Sequence, residues 1–208
     1  MDFEKALSEI LTIWTQGGWL MFPLFLLTVF IYYSILELFF FFFRLDFTRT
    51  SEKQVAEWVV DPSKSEDEEL TRILDFTQED RDKPSDIQKA FEEIRNAFLP
   101  KANRRIAFLN VLIGTAPLMG LLGTVGGMLN TFSGLAHSSG ETIDLVAGGI
   151  AEALITTETG LVIAIPAYIL LGKTRQYRDQ LEFFLARMES LTLQKLKQED
   201  DDELMLSL

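Results

Sequence analysis

The most constraining feature of the 208-residue chain is residues 106–172, a stretch that holds two long apolar runs and no Lys or Arg. The runs cover residues 106–135 and 145–172, and a third apolar run covers residues 19–43. Each run can cross the hydrocarbon core of a bilayer, because that core takes about 20 helical residues to span. Three such runs are not typical of a soluble globule. The sequence therefore predicts an all-α, polytopic membrane protein with three transmembrane helices.

The composition argues against several classes of function. The chain has no Cys, so it offers neither disulfides nor a thiolate nucleophile. Its formal net charge is −12, and a surface with that excess of acidic groups repels a phosphate backbone. We therefore expect the chain to interact with the lipid bilayer and not with a nucleic acid.

Basic residues set the expected orientation, because Lys and Arg are enriched in the cytoplasmic loops of membrane proteins. They follow the first and third apolar runs and precede the second, whereas the opposite side of the three spans carries Lys5 alone. The basic positions near the predicted cytoplasmic side are Arg44, Arg49, Lys53, Lys101, Arg104, Arg105, Lys173, Arg175 and Arg178. The N-terminus is therefore predicted to lie outside and the C-terminus in the cytoplasm.

The segments between the spans are predicted to be helical as well. Residues 1–18 have apolar positions three and four apart, which is typical of an amphipathic helix on a membrane surface or against a neighbouring helix. Residues 44–105 show helical periodicity with a helix start at Pro84-Ser85, which predicts a cytoplasmic helical domain continuous with the membrane helices. The expected order is an external helix at 1–18, spans at 19–43, 106–135 and 145–172, an external loop at 136–144, and cytoplasmic segments at 44–105 and 173–208, the second of them ending in an acidic tail.

Small residues in the second and third spans predict close helix packing. Gly123 and Gly127 are four residues apart, and Gly120 extends the same ladder, a spacing that lets helix backbones approach closely in lipid. We expect these glycines and Gly160 to pack helices, and we expect the second span to contribute to a homo-oligomer. Pro117 and Pro166 are candidate kink positions, because a proline inside a helix removes one backbone hydrogen bond.

The third span carries a polar stripe that lipid cannot satisfy. Glu152, Thr156 and Thr159 recur at helical spacing and so share one face, while Thr157 and Glu158 point away from it. A carboxylate in the middle of a span costs about 2.5–3.5 kcal/mol on insertion scales, so it marks a functional site by default. No His, Cys or Asp stands near Glu152 in the sequence, so we expect no metal site, no nucleophile triad and no enzyme.

The motifs of the three spans resemble the MotA/TolQ/ExbB proton-channel family. The resemblance rests on residues 16–24 (QGGWLMFPL), residues 116–128 (APLMGLLGTVGGM), and residues 149–157 and 160–167 (GIAEALITT and GLVIAIPA). Two of these motifs fall in order in the second and third spans, which makes the resemblance specific. The three-span arrangement with a short external N-terminus is similar to the ExbB branch of the family.

This resemblance implies a particular machine in the bacterial inner membrane, with the N-terminus in the periplasm. It implies a pentamer of this subunit around a dimer of a single-span ExbD-like or TolR-like protein, and a TonB-like protein that receives the work. It also implies that protons are the coupling ion and that no other cofactor is needed. Thr124 and Thr157 would line the pore with Glu152 nearby, whereas helical geometry favours Thr156 over Thr157 as the companion of Glu152.

Two further interpretations stay open at this point. A TolQ-like subunit, acting in envelope integrity and division, would carry the same spans and the same motifs. A membrane scaffold that conducts nothing would use the glycines and Glu152 for assembly alone. Proton flux in vesicles separates the scaffold from a channel, and the identity of the force-transmitting partner separates the two kinds of channel.

Overall fold

The described part of the chain consists of long helices. The computed structural model describes residues 12, 14–44, 55, 57–59, 71–73, 76–77, 83–137 and 142–206. Three long helices dominate these residues, which we call α1 (Met21–Arg44), α2 (Pro84–His137) and α3 (Thr142–Leu206). No strand occurs among the described residues. The predicted all-α fold class is therefore confirmed.

All three helices are long and apolar enough to cross a membrane. The candidate spans lie in Met21–Phe43, Pro84–His137 and Val146–Gln198. Each contains a window of the length that a bilayer requires, because a helix advances about 1.5 Å per residue and the hydrocarbon core is about 30 Å thick. The prediction of three apolar helices that can span a membrane is confirmed.

The ends of α2 and α3 extend beyond the apolar runs. α2 begins at Pro84, where a missing N–H costs little, and its first turn contains Asp86, which favours the positive end of the helix dipole. α2 continues to His137, and α3 begins at Thr142 with Asp144 in its first turn. Residues 136–137 and 142–144 of the predicted external loop at 136–144 are thus helical, and the external position of the loop stays a prediction.

Other predicted segments fall largely outside the described residues. Of the amphipathic helix predicted at 1–18, the structure describes residues 12 and 14–18. Of the cytoplasmic segment predicted at 44–105, the stretch before Lys83 is described only in short pieces. The placement of both segments on either side of a membrane stays a prediction.

One compact unit contains the apolar parts of all three helices. It combines Met1–Phe39 with Ile106–Lys173. The Tyr32 hydroxyl donates a hydrogen bond to the Ile163 carbonyl at 3.2 Å, so α1 and α3 meet directly in this unit. One cluster in its buried core comprises Met21, Leu24, Ala116 and Ile163, against which Trp14, Leu27, Tyr32 and Met119 pack.

A second compact unit contains the charged parts of the helices. It combines Phe40–Arg105 with Thr174–Leu208. The Arg95 guanidinium forms an ion pair with Glu189, and the Lys195 ammonium donates to the Val59 carbonyl at 3.3 Å. Its buried apolar side chains include Phe42, Val55, Val59, Ile87, Ala90, Phe91, Leu185 and Met188. These side chains give the unit a hydrophobic core of its own.

Candidate functional site

Glycines bring the backbones of α2 and α3 together within a single chain. A methyl group added at Gly120 would lie 2.8 Å from the Thr156 carbonyl oxygen and 2.9 Å from the Thr157 Cα. At Gly160 the same addition would lie 2.7 Å from the Ala116 carbonyl oxygen. Real side chains do not approach backbone atoms this closely, so only glycine fits at these two positions without moving a helix.

The same ladder continues in both directions along the two helices. At Gly127 an added methyl group would lie 3.1 Å from the Gly149 carbonyl oxygen, and at Gly123 it would collide with the Thr156 side chain. All of these contacts join α2 to α3 of one subunit. These contacts within one chain neither require nor oppose packing between subunits. The expected contribution of the second span to a homo-oligomer therefore stays a prediction.

The Gly120 carbonyl is the point where the polar side chains converge. The Thr157 hydroxyl donates to it at 3.1 Å, and the Thr156 hydroxyl lies 3.4 Å from it while also donating to the Ala153 carbonyl at 2.9 Å. In an α-helix the carbonyl of residue 120 is also the acceptor for the backbone N–H of Thr124. The Gly120 carbonyl oxygen is thus within hydrogen-bonding distance of the hydroxyls of Thr156 and Thr157 and is the helical acceptor for Thr124. These are the three threonines that were predicted as candidate site residues.

The three threonines differ in how they are placed around that carbonyl. Thr156 is buried between the helices, whereas Thr124 and Thr157 are half-buried and partly accessible. The Thr124 hydroxyl donates to the Leu121 carbonyl of its own helix at 2.7 Å, which leaves its oxygen able to accept a hydrogen bond from water. The choice between Thr156 and Thr157 as the pore-lining residue stays a prediction, because both reach the same acceptor.

Glu152 is a residue of α3 whose side chain reaches the N-terminal end of α1. Its half-buried side chain packs against Gly18, in the turn that precedes α1. This contact between Glu152 and Gly18 was not predicted from the sequence. The sequence signal that was available is the pair of glycines itself, since a chain uses glycine where another group approaches the backbone closely.

The remaining predicted positions lie along the same two helices. Pro117 and Pro166 both lie inside continuous helix, and the Pro117 Cα approaches Gly160 closely. Whether either proline bends its helix stays a prediction. Thr159 donates to the Ile155 carbonyl at 2.8 Å, and Glu158 is exposed on the surface of this single chain.

The chemistry of the site is that of hydroxyl and carboxyl groups. Among the residues that the structure describes, no group of three or more His, Cys, Asp or Glu side chains is placed to hold a metal ion. Threonine hydroxyls can donate and accept hydrogen bonds and so order water, and a carboxyl group can bind and release a proton. The arrangement of Glu152, Thr124 and Thr157 therefore suits the handling of protons or small ions.

Comparison with known proteins identifies relatives of this chain. A sequence model of the MotA/TolQ/ExbB proton channel family matches residues 62–187. The chain is 30% identical over 212 aligned residues to a putative biopolymer transport protein, ExbB-like 1, of Synechocystis, a match that covers 92% of this chain and 81% of the relative. It is also 40% identical over 98 residues to the Tol-Pal system protein TolQ of Pseudomonas aeruginosa, covering 42% of each chain.

A shorter match of higher identity adds a third relative. The chain is 52% identical over 56 residues to the biopolymer transport protein ExbB of Pseudomonas putida, covering 27% of this chain and 17% of that one. The matches to the two Pseudomonas proteins thus span less than half the length of those relatives. The family description and these names denote channel and transport subunits, not a class of enzymes. Because the family model covers more than half of the chain and the Synechocystis match covers most of it, the chain belongs to the MotA/TolQ/ExbB proton channel family.

Proposed function

We propose that this chain is an ExbB-like proton-channel subunit. Together with a single-span ExbD-like partner, it converts the proton motive force into mechanical work that a TonB-like protein delivers to outer-membrane transport. The observation that carries this proposal is the convergence of the Thr156 and Thr157 hydroxyls on the Gly120 carbonyl, in the membrane unit that also holds Glu152. Named relatives of the ExbB type support it.

Each polar residue has a distinct role in this proposal. Thr124 and Thr157 are half-buried, and each presents a hydroxyl oxygen that can accept a hydrogen bond from pore water. Thr156 is buried, so it holds α2 to α3 and fixes the Gly120 carbonyl. Glu152 lies in the same unit beside Gly18, where a carboxyl group can exchange protons with water that enters the path.

The subunit acts as a homo-oligomer, with a pentamer around two copies of the single-span partner. Large apolar side chains remain exposed along α2 and α3 of the single chain, as lipid or neighbouring subunits require. Examples are Leu118, Leu122 and Leu129 on α2, and Leu154, Val162 and Ile169 on α3. The protein lies in the inner membrane with a periplasmic N-terminus and a cytoplasmic C-terminus.

A TolQ-like role in the cell envelope is the second candidate. The 40% identity to the Tol-Pal system protein TolQ of Pseudomonas aeruginosa favours it. The two candidates predict different force-transmitting partners, a TonB-like or a TolA-like protein. Purification of the assembled complex from its native membrane, followed by mass spectrometry of the bound partners, decides between them.

Replacement of Glu152 by glutamine tests the proton path. Glu152→Gln keeps the volume and much of the hydrogen bonding, but the amide cannot exchange a proton at ordinary pH. In vesicles that contain this subunit and an ExbD-like partner, we expect the variant to assemble normally and to lose most of the proton flux, which a pH-sensitive dye inside the vesicles reports. Glu158→Gln is the matched control, because it neutralises an exposed carboxyl group on the same helix.

The possible outcomes separate a channel from a scaffold. If the protein is a scaffold that conducts nothing, vesicles that contain the wild-type complex will show no more proton flux than vesicles without protein. A purely structural Glu152 requires that Glu152→Gln either conducts normally or fails to assemble. Normal flux through a fully assembled Glu152→Gln complex contradicts the proposed path through this residue.

A further inference from the structure

The turn before α1 contains a glycine with an unusual backbone conformation. Gly18 has φ of 67°, in the left-handed region that side chains other than glycine rarely adopt. Its carbonyl accepts the Met21 N–H at 3.3 Å, and the Trp19 carbonyl accepts the Phe22 N–H at 3.3 Å. These two bonds fix the turn at the entry to α1.

The space beside Gly18 is already filled by Glu152. A methyl group added at Gly18 would overlap the Glu152 Oε1 atom and would lie 2.9 Å from its Cδ and 3.4 Å from its Cγ. The neighbouring Gly17 differs, because a methyl group there would meet mainly the flexible Met21 side chain. Gly18 is thus the residue of this turn against which the Glu152 carboxyl group packs.

Two independent constraints therefore act on Gly18. The left-handed conformation favours glycine, but asparagine also adopts it at moderate cost. Any side chain at position 18, asparagine included, would overlap the Glu152 carboxyl group and would have to displace it. Gly18 thus adopts the left-handed conformation and also leaves free the space that the Glu152 carboxyl group occupies.

We propose that Gly18 is a positioning residue for Glu152. The Glu152 carboxyl group packs against the backbone of the Gly17–Gly18 turn, which has no side chain at position 18. The turn therefore determines where the carboxyl group lies and how water reaches it. A side chain at position 18 displaces the Glu152 carboxyl group from this contact with the turn. The proposal rests on the proposed function, in which Glu152 exchanges protons along the path.

The placement can be tested without measuring proton flux. The chain has no Cys, so the paired substitutions Gly18→Cys and Glu152→Cys introduce the only two thiols. We expect mild oxidation of the purified complex to join them within one chain, which peptide mass spectrometry reports. The pair Gly18→Cys with Glu158→Cys is the control, because Glu158 is exposed on another face of α3 and should not cross-link within the chain. Absence of the first cross-link overturns the proposal.

The positioning role is tested by flux and by its rescue. We expect Gly18→Ala and Gly18→Asn each to lower proton flux by about 10-fold or more at normal assembly, as small misplacements of reacting groups do. Glu152→Asp has a shorter side chain and keeps the carboxyl group, so adding it to Gly18→Ala should recover part of the lost flux. Gly172→Ala is the matched control, since a methyl group there meets nothing within 4 Å. Full flux in Gly18→Asn would show that only the backbone conformation matters and would overturn the proposal.

The results also separate this proposal from the proposed function. If Glu152→Gln conducts normally while the cross-link forms, the proton path through Glu152 fails and the placement stands. If Glu152→Gln abolishes flux and Gly18→Ala does not, the positioning role alone fails. Should Gly18→Ala not assemble, adding Glu152→Ala should restore assembly by removing the overlapping side chain, and failure to do so contradicts the proposal.

Discussion

At Gly120 a single carbonyl oxygen accepts hydrogen bonds from two consecutive threonines of the neighbouring helix. Thr157 donates at 3.1 Å and Thr156 lies at 3.4 Å, so the shorter bond belongs to the residue that is less buried. Thr156 has a second acceptor in the Ala153 carbonyl. The two hydroxyls are therefore not equivalent, and their removal should have different effects.

Valine substitutions distinguish the two threonines, because valine keeps the shape and removes the hydroxyl. We expect Thr157→Val and Thr124→Val to assemble normally and to reduce proton flux in vesicles by at least about 10-fold, the effect of losing one well-placed polar group. We expect Thr156→Val to lower the free energy of unfolding by about 1 kcal/mol while much of the flux remains. Thermal unfolding and dye-reported flux measure the two effects. The opposite pattern would assign the pore to Thr156.

At the scale of elements, α2 and α3 form one closely packed pair. Gly120 and Gly160 meet backbone atoms of the other helix, and neither helix can yield there without moving as a whole. Gly126 is different, since a methyl group there would meet nothing within 4 Å in this subunit. α2 therefore contains glycines that pack against α3, and it also contains Gly126, which makes no such contact.

Alanine substitutions test this difference between the glycines. Gly120→Ala should destabilise the subunit by roughly 1–3 kcal/mol, the usual cost of forcing an extra methyl group into a packed contact. Gly126→Ala should be neutral or mildly stabilising, because alanine favours a helix over glycine by about 1 kcal/mol. Thermal unfolding in detergent and sensitivity to a protease measure both. Equal behaviour of the two variants would contradict the packing of α2 on α3 through Gly120.

At the scale of the whole molecule, the orientation in the membrane rests on the distribution of basic residues. The segment from Ile106 to Gly172 has no Lys or Arg, whereas basic residues stand at both of its ends. Two antiparallel spans joined by a short connection place those ends on the same side. The positive-inside rule predicts that this side faces the cytoplasm, and this orientation stays a prediction.

Single cysteines introduced into this Cys-free chain test the orientation. Cysteines at Ser8 and Ser139 should react with a membrane-impermeant thiol reagent applied to the periplasmic face, and one at Ser85 should react only after the membrane is opened. Ser85 is exposed at the start of α2, so a lack of reaction there reflects the membrane and not burial. Labelling of Ser85→Cys in sealed cells would reverse the topology.

The sequence was sufficient to predict the three helices but not their extent or their partners. Apolar runs predict spans because the bilayer fixes their length, whereas the ends of α2 and α3 depend on charged residues that the hydropathy signal does not cover. Glycine spacing predicted a close approach of helices without identifying which ones. The contact between Gly18 and Glu152 joins positions far apart in the chain, and no local pattern encodes it.

The packing of α2 on α3 also bears on how such a chain can evolve. Every single-nucleotide change that replaces a glycine adds a Cβ atom, so no intermediate residue is available at Gly120 or Gly160. A Cβ at these positions would lie 2.8 Å and 2.7 Å from backbone oxygens that no rotamer change can move. No substitution at Gly120 or Gly160 is therefore expected to be neutral while the two helices keep their present contact. A lineage could leave them only if the two helices first moved apart, through compensating substitutions elsewhere along the pair.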